Sequence, residues 1–266
     1  MTAHAVIQAS PRPPQPVAIQ PIEPEDVGAN LNGPNGLELV VEMAHDLRSP
    51  LTSIMFLTES LQDEQHGRVS EDQRHALGLI YSAALGLCSA ASDVLELARG
   101  GTQLTDAAPT PFSVVDVFSA VHSMILPIAR EKGLEVRLVH PVPERRLGHA
   151  RAISRVLLNL ATNAVKYTDT GFVEIAARPL TPTSLEFSVR DTGAGLDLDP
   201  ATLKTLCQPF PKTPFQVHHH FSSAGLGLAI CHKLVKAMGS ELQVESSPEG
   251  TRFWFTLELP AAKTTG

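Results

Sequence analysis

The chain has 266 residues, of which 43% are hydrophobic and 18% are charged, which is enough for one large or two modest domains with a real core. Its formal net charge of −7 and the lack of a basic stripe exclude a general binder of nucleic acid or of acidic membranes. The cysteines Cys88, Cys207 and Cys231 lack CxxC spacing, which favours a reducing compartment over a disulfide framework or a zinc site.

The sequence shows no sign of a membrane segment or of a folded N-terminal domain. No apolar run approaches the ~20 residues that cross a bilayer, and the charged-then-apolar pattern of a secretion signal is absent. We therefore expect a cytoplasmic protein without membrane insertion. Residues 1–35 contain seven prolines and little apolar periodicity, which predicts a disordered tail and no sensory domain ahead of the first helix.

Two heptad-patterned segments follow the tail. The first has apolar positions at alternating steps of four and three residues, at Val40, Ala44, Leu47, Leu51, Ile54, Thr58 and Leu61. A polar break ends at Ser70, a suitable N-cap, and the second seam is formed by Leu77, Ile80, Ala84, Leu87, Ala91, Val94 and Ala98. These seams predict an antiparallel helical hairpin over 36–99. One hairpin cannot enclose both seams, so we expect a homodimer with a four-helix bundle.

The rest of the chain mixes helix and strand patterns. Residues 100–111 contain glycine and proline and predict a linker, and 262–266 form a short tail. Within 112–261 the patterns predict a strand followed by a helix over 112–130, further helices over 152–167 and 224–238, and strands over 134–139, 172–177, 185–190, 242–245 and 252–259. Because strict βαβ alternation is absent, we expect an α/β sandwich with one mixed sheet and its helices on a single face.

The first helix contains the stretch A-H-D-L-R-S-P-L, in which His45 and Asp46 precede Pro50. A proline inside a helix removes a backbone hydrogen bond and clashes with the preceding turn. A segment that only packs would not carry this combination, although a histidine alone would suit any exposed helix surface. The stretch therefore indicates a chemical role for His45.

A second group of polar residues lies on the helix predicted over 152–167. Asn159, Asn163, Lys166 and Tyr167 follow at steps of four, three and one, so they share a helix face or its edge. Two amides beside a lysine suit a hydrated Mg²⁺ that bridges phosphates. The same residues would also suit the solvent-facing side of an amphipathic helix.

Two glycine motifs follow. Asp191 ends an apolar strand, where its carboxylate can accept a hydrogen bond from an exocyclic amine, while Gly193 and Gly195 let the backbone pass close to a planar base. A plain turn would have the same composition. Gly225-Leu226-Gly227 opens a helix, whose free backbone N–H groups can hold phosphate. Its spacing is that of neither a Walker loop nor a dinucleotide fingerprint.

The order of these motifs resembles that of a known family. The asparagine helix, Asp-x-Gly-x-Gly, Gly-Leu-Gly-Leu and a terminal Gly-Thr-x-Phe strand at 250–253 resemble the N, G1, G2 and last glycine boxes of the histidine-kinase ATPase domain. A-H-D-L-R-S-P-L on its heptad helix resembles the H-box of the dimerisation and phosphotransfer domain. The resemblance covers roughly residues 37–260 and implies a Bergerat-type ATP-binding domain behind the hairpin.

The resemblance implies a role for each motif residue. His45 would accept phosphate, and Asp46 would act as the base that makes the far imidazole nitrogen nucleophilic. Ser49 occupies the place where relatives with phosphatase activity carry Thr or Asn, which leaves phosphatase activity open. ATP would be bound by Asn159, Asn163, Lys166, Tyr167, Asp191, Gly193, Gly195, Gly225, Leu226 and Gly227, with Asn163 on Mg²⁺. Asp191 would read the adenine amino group.

The implied function is histidine autophosphorylation from Mg-ATP, followed by transfer to an aspartate on the receiver domain of a separate response regulator. A sensory or adaptor partner would then deliver the signal. Ser223 and Ala224 depart from the Gly-Thr/Ser-Gly opening of the family's glycine box. They motivate two alternatives: a non-catalytic docking scaffold, and a phosphotransfer protein without ATP chemistry of its own. Gln208-Pro209-Phe210 resembles the family's F-box, and His218–His220 would fit a solvated loop or a metal site.

Overall fold

The computed structural model describes residues 36–65, 67–98, 103–140, 145–196 and 226–262. The predictions for the tail over 1–35, Gln208–Phe210, His218–His220, Ser223, Ala224 and Gly225 lie outside the described residues, as does the side chain of Leu226.

Two long helices form the first part of the described chain, α1 over Gly36–Gln62 and α2 over Glu71–Ala98. A capping box starts α2: the Ser70 Oγ accepts from the Gln73 backbone N–H at 3.2 Å, and the Gln73 Oε1 accepts from the Ser70 N–H at 2.8 Å. The predicted N-cap at Ser70 is therefore confirmed. The Arg74 guanidinium donates to the Gln62 carbonyl at 2.7 Å and so ties the end of α1 to the start of α2.

The predicted seams are divided between buried and exposed positions. On α1 the residues Ala44, Leu51 and Thr58 are buried, whereas Leu47, Ile54 and Leu61, three residues further along each time, are exposed. The second seam shows the same division, with Ala84 and Ala91 buried and Ile80 and Leu87 exposed. A single chain therefore encloses only half of each apolar seam.

The sequence led us to expect no segment long and apolar enough to cross a membrane, and α2 differs from that expectation. Among the described residues, one stretch, Glu71–Asp93, has the length and composition to cross a membrane, with a mean hydropathy of 1.3. Such a stretch is also typical of a helix in a protein interior. Only 22% of that window is buried within the chain, with Tyr81 and Leu85 among the buried residues.

The second part of the described chain is built around a five-stranded mixed sheet. Its elements in chain order are α3 (Gln103–Asp106), β1 (Thr110–Ser113), α4 (Val114–Glu131), β2 (Glu135–Val139), β3 (Arg145–Gly148), α5 (Ala150–Tyr167), β4 (Phe172–Pro179), β5 (Ser184–Asp191), α6 (Leu226–Ala237), β6 (Gln243–Ser247) and β7 (Gly250–Glu258). The sheet order is β2-β4-β5-β7-β6, with only β2 and β4 parallel. The predicted α/β sandwich is confirmed, whereas α3 and β3 were not predicted.

The core lies between this sheet and the layer of α4, α5 and α6. Phe187 on β5 stacks on Phe255 of β7 at 5.5 Å between ring centroids, and Phe118 of α4 meets Phe187 edge-on at 6.4 Å. The buried residues of α5 recur every three or four positions, so this helix packs one face against the core.

The hairpin packs on the α/β part through α2, which contacts α4 and α6. The Tyr81 hydroxyl donates to the Met124 carbonyl of α4 at 3.2 Å, and the His75 Nδ1 lies 3.0 Å from the Glu131 Oε1. Burial, assisted by the negative charge of Glu59, raises the pKa of Tyr81 to about 12. This hydroxyl therefore stays protonated and can donate throughout the physiological pH range.

Candidate functional site

His45 lies on the exposed surface of α1. Its side chain is 75% exposed and that of Asp46 is 77% exposed, and the Asp46 Oδ1 lies 3.7 Å from the His45 Nδ1. This separation is too long for a hydrogen bond, but rotation of two exposed side chains can close it. The far nitrogen, Nε2, is then available to an incoming electrophile.

The helix around Pro50 continues without interruption, but its backbone is weakened there. Pro50 lies inside α1 and lacks the N–H that would donate to the Asp46 carbonyl. The Thr52 Oγ1 donates back to the Arg48 carbonyl at 2.8 Å and the Ser53 Oγ to the Ser49 carbonyl at 3.2 Å. Hydroxyls that bond to the preceding turn in this way often accompany helix bending. The turn that carries His45 thus lacks one backbone hydrogen bond of a regular helix.

Replacing Pro50 by Ala tests the effect of this missing bond. We expect P50A to restore the backbone bond to Asp46 and to stabilise α1 by up to about 3 kcal/mol. If the phosphorylation of His45 that the resemblance implies depends on bending of α1, P50A changes its rate and leaves nucleotide affinity unchanged. Thermal unfolding, initial-rate measurements and nucleotide titration check the three parts. A stiffened helix with an unchanged rate would contradict the bending hypothesis.

A cavity of about 170 Å³ lies where α5 meets the ends of β5 and β7. It contains four of the predicted site residues, namely Asn163, Tyr167, Asp191 and Gly195, and its other walls are Leu160, Ala164, Val189, Ala194, Leu196, Thr251 and Phe253. A mostly apolar cavity with a few convergent polar groups is the usual form of a small-molecule site.

Asp191 is the buried acidic group of this cavity. Its Oδ1 accepts from the Gly193 N–H at 2.9 Å and from the Thr251 N–H at 3.2 Å. Burial raises the pKa of the Asp191 carboxyl above its usual value, and the two N–H donors offset part of this rise. The donors also fix the orientation of the carboxyl group, so its Oδ2 can be presented to a ligand.

The glycines of the Asp191 turn allow close backbone contacts. A Cβ on Gly193 would lie 2.5 Å from the Tyr167 carbonyl oxygen and 3.1 Å from the Asp191 Oδ1. Gly195 has φ +75°, and a side chain there would collide with the Ser247 carbonyl. Both positions therefore require glycine, because the turn is packed between the end of α5 and β6.

The two remaining predicted site residues of α5, Lys166 and Asn159, lie in different surroundings. Lys166 is exposed, and its Nζ lies 5.1 Å from the centre of the Tyr167 ring. Asn159 is buried away from the cavity: its Nδ2 donates to the Gly227 carbonyl at 3.2 Å, and its Oδ1 accepts from the Ser89 Oγ at 3.4 Å. The structure thus joins Asn159 to Gly227 and α2, and brings Asn163 and Tyr167, not Asn159, to the cavity.

A buried ion pair accompanies Asn159. The Arg155 guanidinium of α5 donates to the Asp93 Oδ1 of α2 and, at 2.9 Å, to the Ser89 carbonyl. Asp93 is only 1% exposed, and among the described residues its Oδ2 has no partner within hydrogen-bond geometry. Burial raises the pKa of Asp93, while Arg155 and the Asn159 amide oppose this rise. This pair links the hairpin to the helix of the candidate site.

Loss of one partner of this pair should destabilise the chain strongly. We expect R155M to lose about 3 kcal/mol or more of unfolding free energy, because it leaves the Asp93 carboxylate buried and unpaired. The double variant D93L/R155M removes both charges and should recover most of that loss. Urea unfolding of the three proteins measures these differences. A single variant as stable as the wild type would contradict the coupling.

The described residues fit a magnesium ion that arrives with a nucleotide better than a preformed metal centre. Within the described ranges no group of three or more His, Cys, Asp or Glu side chains could hold a metal. Mg²⁺ bound with ATP takes most of its ligands from phosphates and water, with one or two protein oxygens. The amide oxygen of Asn163, in the cavity wall, is a suitable protein ligand.

The structure also adds residues that received no individual role in the sequence analysis. Thr251 holds Asp191 through its backbone N–H, and Leu196 and Phe253 provide apolar cavity wall. The Gly-Thr-x-Phe pattern of β7 was the available signal for Thr251 and Phe253. A larger cavity of about 390 Å³ lies between the turn of the hairpin and α4. It contains none of the predicted site residues, so we assign the chemistry to the smaller one.

Comparison with known proteins relates both parts to characterised families. Residues 37–103 match the His Kinase A (phospho-acceptor) domain. Residues 148–261 match the family described as the histidine kinase-, DNA gyrase B- and HSP90-like ATPase. The two matches occur in the order that the motifs predicted. The chain belongs to the histidine kinases.

Individual relatives of this histidine kinase core support the assignment. Sensor protein GacS of Pseudomonas syringae pv. syringae is 32% identical over 235 residues, which are 85% of this chain and 25% of GacS. Signal transduction histidine-protein kinase BarA of Escherichia coli K12 is 29% identical over 84% of this chain and 24% of BarA. The chain thus spans about a quarter of the length of these relatives.

A solved structure has a similar fold. Full-length ShkA, crystallised in complex with AMPPNP, is 28% identical to this chain and superposes with a TM-score of 0.58. The match covers 85% of this chain and 47% of ShkA. The fold of this histidine kinase chain is therefore found in a protein whose structure contains an ATP analogue.

Proposed function

We propose that this chain is an ATP-dependent protein-histidine kinase of a two-component system. It phosphorylates His45 from Mg-ATP and passes the phosphoryl group to an aspartate on the receiver domain of a response regulator. The observation that carries the proposal is the coexistence, in one histidine kinase chain, of an exposed His45–Asp46 pair on α1 and a cavity with a buried Asp191. Neither feature alone would specify this reaction.

The chemistry at His45 follows from its neighbour. Asp46 beside Nδ1 favours the tautomer that carries its proton there, which leaves a lone pair on Nε2. Nε2 attacks the γ-phosphorus, so an N–P bond forms as the bond to the ADP oxygen breaks. The resulting imidazolium is stabilised by the Asp46 carboxylate. His45 is not among the residues around the nucleotide cavity, so transfer requires movement within the chain or presentation of a partner protomer's His45.

In the nucleotide site, the Asp191 Oδ2 accepts a hydrogen bond from the adenine amino group, and the Tyr167 ring covers the base. Asn163 would provide a protein oxygen to Mg²⁺, which would neutralise phosphate charge when bound. Lys166, at the exposed end of α5, would bind the phosphates. Gly225, Leu226 and Gly227 would offer backbone N–H groups to the phosphates. Asn159 supports the start of α6 through its bond to the Gly227 carbonyl.

We further propose that the working unit is a cytoplasmic homodimer. The exposed half of each heptad seam, including Leu47, Ile54 and Ile80, would be buried by a second hairpin. The domain limits that we propose are a tail over 1–35, a hairpin over 36–99, a linker over 100–111, an ATP-binding domain over 112–261 and a tail over 262–266. A sensory or adaptor partner would supply the signal, and Ser49 is the residue that we propose for any phosphatase activity.

Incubation with γ-labelled ATP and Mg²⁺ tests the proposal against its rivals. The kinase predicts acid-labile label on the chain and its transfer to a receiver domain. Nucleotide binding without label would instead support a docking scaffold. Label that arrives only from another phosphorylated protein would support a phosphotransfer protein, and either of these outcomes would refute the kinase assignment.

A further inference from the structure

A lysine from outside α5 closes the end of that helix. The Lys132 Nζ donates to the carbonyl oxygens of Val165 at 3.0 Å, Lys166 at 2.9 Å and Thr168 at 2.9 Å. An ammonium group has three N–H donors and no acceptor. These three carbonyls therefore use its full donor capacity.

A cation stabilises the end of α5. The last carbonyls of a helix lack intrahelical donors and carry the negative end of the helix dipole. The residue that follows α5, Thr168, has extended backbone angles of φ −105° and ψ 126°, so the chain leaves the helix without a left-handed glycine cap. The ammonium of Lys132 takes the place of that local cap. Asp169, 98% exposed at 3.8 Å from the Nζ, adds little.

The backbone that carries Lys132 is itself held firmly. The Gly133 N–H donates to the Arg130 carbonyl at 3.0 Å, and the Leu134 N–H donates to the Ala129 carbonyl at 2.8 Å. With Gly133 at φ +70°, these bonds form a Schellman motif at the end of α4. The turn thus fixes the backbone from which the Lys132 side chain extends, and its ammonium joins the end of α4 to the end of α5.

The carbonyls bound by Lys132 flank the nucleotide cavity. Tyr167, which lies between Lys166 and Thr168 in the chain, forms part of the cavity wall. Its carbonyl oxygen is also the surface on which the Gly193 turn rests, since a Cβ at Gly193 would come within 2.5 Å of it. A shift of the end of α5 would therefore move both the Tyr167 ring and the turn that holds Asp191.

We propose that Lys132 is a positioning residue for the nucleotide, acting through the carbonyl cage of Val165, Lys166 and Thr168. It does not touch the ligand. It fixes the end of α5 so that Tyr167 and the Asp191 turn keep the spacing that an adenine base requires. The inference rests on the proposed nucleotide site and adds a residue that none of the sequence motifs contains.

Nucleotide titration of K132M tests the proposal. We expect about ten-fold weaker binding of ADP and of a non-hydrolysable ATP analogue, with a raised KM for ATP and a nearly unchanged rate at saturating ATP. R146M is the matched control, because the buried Arg146 also donates to carbonyls, those of Pro182 and Leu259, which lie outside the cavity wall. It should lose stability but keep its nucleotide affinity. Wild-type affinity in K132M, or equal losses in both variants, would overturn the proposal.

Chemical rescue separates positioning from general stability. K132G leaves three carbonyls that a small ammonium ion can fill, so ethylammonium should restore nucleotide affinity while tetramethylammonium, which has no N–H donor, should not. Failure of ethylammonium, or equal rescue by both salts at one ionic strength, would refute the carbonyl-cage mechanism. K132Q, which keeps two donors, should bind with intermediate affinity if K132M does not fold. A wild-type chain that binds no nucleotide would refute the proposed function and with it this inference.

Discussion

H45A should abolish acid-labile phosphorylation from Mg-ATP while leaving nucleotide binding unchanged. His45 provides the only attacking atom in the proposed reaction, so its loss should lower the labelling rate at least about 1,000-fold. The side chain is exposed on α1, and its removal creates no cavity, so the fold should persist. Radiolabel incorporation and calorimetric nucleotide titration measure the two effects separately.

Two further variants test whether the effect of H45A is specific to His45 and depends on Asp46. H140A removes an exposed histidine beyond the end of β2 and should be labelled like the wild type. D46N keeps the shape of the neighbour but removes its charge, so labelling should slow about 100-fold, in the range of a general base. Full labelling of H45A, or an equal loss in H140A, would contradict the assignment of His45 as the acceptor.

D191N should weaken ATP binding about 100-fold, since a site built around one hydrogen-bond acceptor fails when that acceptor becomes a donor. The amide oxygen of Asn can still accept from the Gly193 and Thr251 N–H groups, so the turn should remain folded. Its NH₂ group then faces the adenine amino group, donor against donor. Inosine triphosphate, with a carbonyl at that ring position, should lose much less affinity for D191N than ATP does.

Because the Asp191 carboxylate accepts the hydrogen bond from the adenine amino group, ATP affinity should depend on pH. Burial raises the pKa of this carboxyl above its usual value, and only the ionised form has a free acceptor on both oxygens. ATP affinity should therefore fall as the pH is lowered through the raised pKa, at a higher pH than for an exposed aspartate. D191N should lack this step. Identical pH profiles for the two proteins, or an unchanged ATP preference in D191N, would contradict the role of Asp191.

The helical hairpin was predictable because its signals are local. Ser70 and Gln73 form the capping box within four residues of sequence, and the heptad seams of α1 and α2 each repeat within one helix. Incomplete burial of the seams was also expected, since one hairpin cannot enclose both of them. What the pattern could not show is which alternate positions, such as Leu47 rather than Ala44, remain exposed.

The missed features depend on contacts between residues distant in the chain. β3 has four residues and exists because it pairs with β1, more than thirty positions earlier, so its own sequence has little strand pattern. Asp93 and Arg155 are ordinary charged residues until the packing of α2 on α5 buries them together. Lys132 likewise gave no motif, because its partners are backbone carbonyls, which every residue possesses.

Part of the candidate site was predictable because its motifs are local in the sequence. The Asp191 turn and the Asn163 helix are local motifs, and the structure brings them to one cavity with Tyr167 and Gly195. Asn159 shares their helix spacing, but a step of four from Asn163 does not specify which neighbour it meets. Its amide bonds to Gly227 and Ser89, residues of two other elements.

The most direct test of the account is to locate the phosphate after reaction with Mg-ATP. Tandem mass spectrometry of the chain digested at alkaline pH, together with phosphorus-31 NMR of the intact protein, identifies both the residue and the bond. The account predicts one phosphoramidate, on the imidazole of His45. A chain that remains unmodified despite bound ATP, or one that carries its phosphate on another residue, would contradict it.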